Sequence, residues 1–116
     1  MSNYEKYLIC NGVGVAMRTC IDRLIAQPRL GGQIVRNESE FIAHRLDILR
    51  HEGTISNDAY LDSGAIQGAL EYLANLVDIG VSQSELQDLL RDQLARATRL
   101  EEAHPGLDAA IEMGRR

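Results

Sequence analysis

Residues 65–77, AIQGALEYLANLV, carry the pattern that most restricts what this chain can become. Ile66, Ala69, Leu70, Leu73, Leu76 and Val77 recur at three- and four-residue steps, which a helix gathers into one apolar stripe. Glu71, Asn75 and Asp78 fall away from that stripe. No other stretch joins such strong helix formers to so clear a face, so this is the expected central helix. Alternation of β-branched residues is lacking, and only two prolines interrupt the chain. The expected fold is all-α, a small bundle of four to five amphipathic helices.

A length of 116 residues suits a single domain over residues 1–116, with one core. With four Tyr, one Phe and no Trp, that core has to be aliphatic.

Local signals place the other helices. Leu8, Ile9, Val13, Ala16, Cys20, Leu24 and Ile25 share a face over residues 3–27, and Pro28 supplies a stop. Gly12 and Gly14 fray the first half of this helix or split off a short N-terminal piece. Residues 28–36 read as a flexible connector centred on Gly31 and Gly32. Asn37 with Glu40 then has the form of a capping box for a second helix, built on Phe41, Ile42, Leu46, Ile48 and Leu49 and closed by Gly53. The central helix is expected over residues 57–79, bent or frayed near Gly64 and ended by Gly80. Ser82 and Glu85 form a second capping box, with Val81 and Leu86 as its hydrophobic staple. Leu86, Leu89, Leu90, Leu94, Ala97 and Leu100 continue that helix, and Leu107, Ala110 and Ile111 suit a short last one.

Net charge is −5 and unevenly spread, +3 over residues 1–36 and −8 over the rest. An acidic body opposes broad affinity for nucleic acid or anionic membrane. No apolar run is long enough to span a bilayer and no secretory leader is evident, so a cytoplasmic protein is expected. Cys10 and Cys20 are too few and too unpatterned for a disulfide framework or a metal knuckle, and are expected as reduced, mostly buried thiols.

Chemistry-bearing patterns are weak. Gly12-Val-Gly14 has Met17 where a dinucleotide fingerprint has its third glycine. Glu101 and His104 have the Glu-x-x-His spacing of helical di-iron sites, but only once, beside Pro105. His44, Asp47 and His51 fit a solvated helix face. The serines sit in capping or turn contexts, with no Gly-x-Ser-x-Gly elbow. No catalytic residue, cofactor or metal is expected, and the chain reads as a non-enzyme. Gly12, Ala16 and Cys20, and separately Gly64 and Gly68, form small-residue ridges suited to close helix crossing, within one chain or between two.

Residues 79–86, IGVSQSEL, resemble the turn of the bacterial helix-turn-helix DNA-binding family. That likeness implies a reading helix from about Gln83 in the major groove. It covers about ten residues, has Leu76 where the family has a small residue, and offers Glu85, Asp88 and Asp92 around Arg91. In size, acidity and helical texture the whole chain is similar to small bacterial antiactivators, which bind a transcription regulator and block its assembly. That resemblance implies a protein partner and no cofactor. The preferred expectation is a protein-binding regulator, acting as a homodimer or as a monomer that presents the same surface to another protein; the alternative is a helix-turn-helix regulator. The leucine row either completes the core or meets a partner. The expected interface is Leu86, Leu90, Leu94 and Ala97, with Arg91 at the rim.

Overall fold

The computed structural model describes residues 17–115. Five helices and no strand occur among them: α1 (Arg18–Ile25), α2 (Gly32–His51), α3 (Asn57–Asp78), α4 (Gln83–Ala103) and α5 (Leu107–Glu112). The all-α bundle expected from periodicity is what forms. α2 packs most extensively on α3, α4 returns beside α3 and also meets α1, and α5 closes the end against α2 and α1.

Punctuation explains most boundaries. α3 starts where the Ser56 hydroxyl accepts from the Ala59 amide at 3.0 Å, and it runs unbroken through Gly64 and Gly68. Gly80 is left-handed, and the Val81 amide returns to the Leu76 carbonyl at 3.1 Å. This is the glycine-terminated ending anticipated there. Gly53 ends α2 in the same way, with Thr54 N–H on the Leu49 carbonyl at 2.9 Å.

α4 opens on the Ser82 capping box. The Ser82 hydroxyl oxygen accepts from the Glu85 amide at 3.2 Å, and the Glu85 carboxylate lies 3.2 Å from that hydroxyl. Ser82→Ala is expected to lower stability by about 0.5–2 kcal/mol, the usual loss of a capping oxygen. Chemical denaturation measures it, and an unchanged midpoint would detach the start of α4 from that bond.

Two boundaries differ from the sequence expectation. Asn37 is not a cap: α2 begins at Gly32 behind an extended Gly31. Asn37 sits inside the helix, exposed, accepting from the Gln33 amide at 2.8 Å. The start is set from a distance. The Gln83 side chain accepts from Leu30 N–H at 2.7 Å and donates to the Leu30 carbonyl at 3.2 Å, tying the connector to the first turn of α4. Leu30 and Val35 are fully buried on either side. Gly32 is therefore a close-contact position, not a flexible one: an added Cβ would collide with the Asp78 carboxylate, whose partner is Arg36.

The first helix also differs. It does not run unbroken from residue 3, because Met17 takes a left-handed conformation with φ 54° at the start of α1. That geometry costs a non-glycine residue about 1–2 kcal/mol, and here it delivers the Met17 side chain to the core, fully buried. Leu8, Ile9, Cys10, Gly12, Val13, Gly14 and Ala16 lie outside the described residues. Cys20 is a free, fully buried thiol, as expected of it.

α1 is capped across the fold, and α5 from the last turn of α4 just before it. The Asp108 carboxylate accepts from Thr19 N–H at 3.3 Å and from the Thr19 hydroxyl at 2.7 Å, serving the first turn of α1. Glu101 in turn accepts from Gly106 and Asp108 amides at the start of α5. Exposed helix-end amides need such acceptors, and neither α1 nor α5 has one at its own cap position.

Candidate protein-docking surface

The structure places the anticipated interface residues mostly inside. Leu86, Leu90 and Ala97 are 0% exposed, Leu94 is half-buried, and Arg91 alone is exposed, 3.9 Å from Asp88. α4 lies between α1 and α3, so its apolar row is covered within the chain. As a surface for a partner this row is corrected to core.

The exposed apolar face belongs to α3. Its inner side, Ile66, Leu70, Leu73 and Ala74, is buried. The side facing away from the core presents Leu61, Ala65, Gly68, Tyr72 and Asn75, and just past the helix end Ile79, at three-, four- and, between Asn75 and Ile79, again four-residue steps. Leu61, Tyr72 and Ile79 are 62%, 63% and 76% exposed, three of the five large exposed hydrophobics among the described residues. No charged residue interrupts this row, although 25% of the chain is charged.

Asp58 belongs to the first turn of α3, and the other three charged residues lie at its flanks, occupied with neighbours. Towards α2, Asp78 pairs with Arg36, and Glu71 accepts from the buried Ser39 hydroxyl at 2.8 Å. Towards α4, Asp62 meets His104 at 3.2 Å. Beside Leu61 and Ala65 a groove of about 370 Å³ opens against Arg96, Arg99 and Leu100.

Gly68 in this row, and Gly64 on its α2 side beside Ala43 and Leu46, make the helix unusual. An added Cβ would meet nothing within 4 Å at either position, and neither glycine needs a left-handed backbone. Each costs the helix about 1 kcal/mol relative to alanine. No packing inside the chain requires that cost; a helix approaching from outside would.

The other polar concentration is a joint between α1, α2 and α5. Arg115 donates to Glu112 at 2.7 Å and to Glu38 at 2.5 Å, with its guanidinium 4.2 Å from the Phe41 ring centre. Hydrogen bonding to Glu112, then to Glu38, raises the Arg115 pKa further. Burial, then Glu112 and Glu38, pushes the Cys20 thiol up, so it stays protonated and is a poor nucleophile. Burial raises Asp108 to about 6 against the pull of Thr19, with Glu112 and Glu101 adding to the rise. These groups satisfy one another and fasten α5 to the bundle.

The remaining candidates are similarly engaged. Glu101 caps α5 and His104 faces Asp62, so the Glu-x-x-His pair does not converge. Asp47 accepts from the Tyr60 hydroxyl at 2.9 Å. Among the described residues no three His, Cys, Asp or Glu side chains come together as a metal site, and no helix is long and apolar enough to cross a membrane.

The α3 face was partly legible in the sequence, since Gly64 and Gly68 already read as a ridge for close contact. Missing was the row of Leu61, Tyr72 and Ile79 flanking it, which becomes apolar surface only once the opposite stripe is seen to be full. Comparison with protein-family models, curated proteins and solved structures found no match to this chain.

Proposed function

We propose that this chain is a non-enzymatic regulator that works by binding protein, and that it docks through the outer face of α3. The observation that carries this reading is the uncharged row of Leu61, Ala65, Gly68, Tyr72, Asn75 and Ile79, exposed along the central helix and including a glycine no internal contact demands. Exposed apolar surface of several hundred Å² marks an association site. A row with large apolar residues at both ends and an open glycine beside its central tyrosine suits an amphipathic helix laid along it. A transcription regulator whose assembly is blocked by such docking is the partner class that the antiactivator-like character favours.

The helix-turn-helix reading has less support. In that motif two helices cross at roughly 90–120°. Here α3 and α4 stay side by side from the Leu76–Val81 turn to the Asp62–His104 pair. Glu85, Asp88 and Asp92 are exposed along the first half of α4, where a reading helix would meet phosphates.

The test compares wild type with the double variant Tyr72→Glu, Ile79→Glu in affinity capture from the native host. The variant should keep its melting temperature, because both side chains are mostly in solvent, and should lose the captured protein. An identical set of captured proteins would remove α3 as the docking face. Anisotropy on random duplex DNA at low salt should show no binding that falls steeply with added salt; such binding would promote the rival.

A further inference from the structure

We infer that the outer face of α3 takes a second copy of this chain, as an antiparallel α3–α3 pair about a two-fold axis at the level of Leu70, with Tyr72 of each copy over Gly68 of the other. The inference rests on the reading of α3 as the docking face and names what covers that face when no other protein is docked there.

The row is complementary to itself in one direction only. About the level of Leu70, Leu61 stands as far to one side as Ile79 to the other, Ala65 matches Asn75, and Gly68 matches Tyr72. An antiparallel two-fold therefore sets Leu61 against Ile79 at both ends. In the middle it sets a Tyr72 ring against a position with no side chain and open space around it. A parallel pair would set Tyr72 on Tyr72 and leave a gap between the two Gly68 positions. The antiparallel arrangement is closed and isologous, as soluble dimers usually are.

Charge points the same way. The groove beside α3 places Arg96 and Arg99 next to Leu61 and Ala65. The tight turn at Gly80 brings the first turn of α4, with Glu85, to the Ile79 end of α3, and Asp88 and Asp92 follow along α4. All five are exposed and follow one another at three- and four-residue steps, so this one side of α4 is acidic in its first half and basic in its second, while Arg91, Glu101 and Glu102 lie off it. The antiparallel two-fold brings the basic half of one copy against the acidic half of the other, twice. A parallel pair, whose two-fold runs along the helices, carries α4 of one copy to the α2 flank of the other and makes no such match. The central row contains no charge to desolvate.

The experiment uses the full-length chain in sedimentation equilibrium over a dilution series. A monomer–dimer equilibrium is expected, and Gly68→Leu should raise its dissociation constant by about tenfold or more. The same variant should melt no lower as a monomer, since the site is open and leucine is the better helix former. In a Cys10→Ser, Cys20→Ala background, Leu61→Cys protein mixed with Ile79→Cys protein should oxidise to a linked pair, while neither does so alone. Linkage within either single variant overturns the antiparallel register. A wild-type chain that stays monomeric throughout overturns self-pairing. The docking face then stands if Tyr72→Glu, Ile79→Glu still abolishes capture of another protein, and falls with it if capture is unaffected.

Discussion

Leu90→Ala is expected to lower the unfolding free energy by about 2–5 kcal/mol, the range for removing most of a buried leucine from a packed core. Leu90 is 0% exposed, and the neighbouring core positions on α4, Leu86 and Ala97, are equally covered. α1 packs on one side of α4 and α3 on the other, so little backbone is free to close the space left behind. Single domains have only about 5–15 kcal/mol of stability, so a loss of this size is a large share of the total. Urea denaturation of both proteins at one fixed concentration measures the effect. A midpoint within error of wild type would mean that Leu90 faces solvent or a partner. The same change at Leu61, 62% exposed, should be far milder.

The second large effect is a pH dependence carried by Asp108. The carboxyl is 3% exposed, and burial raises its pKa to about 6 from 3.8. Its neighbours are Thr19, whose amide and hydroxyl both donate to it, and the carboxylates of Glu112 and Glu101, which oppose its ionisation. Between the unfolded and folded values the folded chain holds a proton that the unfolded chain has released. Stability from this group is therefore complete below about pH 4 and lost as pH rises through about 6. At 1.36 kcal/mol per unit, the gap corresponds to roughly 3 kcal/mol. Asp108→Asn keeps an acceptor for Thr19 N–H and removes the charge. Subtracting its pH profile from that of wild type cancels the carboxylates remote from Asp108, which act in acid on both proteins, and leaves Asp108 with its coupling to Glu112 and Glu101. The difference should change by about that amount between pH 4 and pH 6.5 and be flat above; a difference flat throughout would remove the buried charge from the account.

What the sequence determined by itself is what neighbouring residues decide. Ser82 with Glu85, Gly80 with Val81, Gly53, and the start at Asn57 were all readable, because a cap or a left-handed glycine is satisfied within a turn of where it is written. The all-α class followed from the same local source, as did the apolar stripe of α3. Asn37 shows where that reasoning stops. It has capping chemistry, yet the helix begins earlier because Gln83, far along the chain, holds Leu30. Likewise α1 takes its cap from Asp108, a partner that no local pattern names, whereas α5 is served by Glu101 from the preceding turn. The leucine row of α4 is the clearest case. Periodicity shows that Leu86, Leu90 and Ala97 share a face, but not what covers it, since one apolar stripe serves a core or an interface equally well. Tertiary packing decided that by setting α4 between α1 and α3. It thereby left the outer row of α3, with Tyr72 and Gly68, as the surface that remains to be covered, because a helix seated between α2 and α4 with its inner stripe buried has only one side left for water.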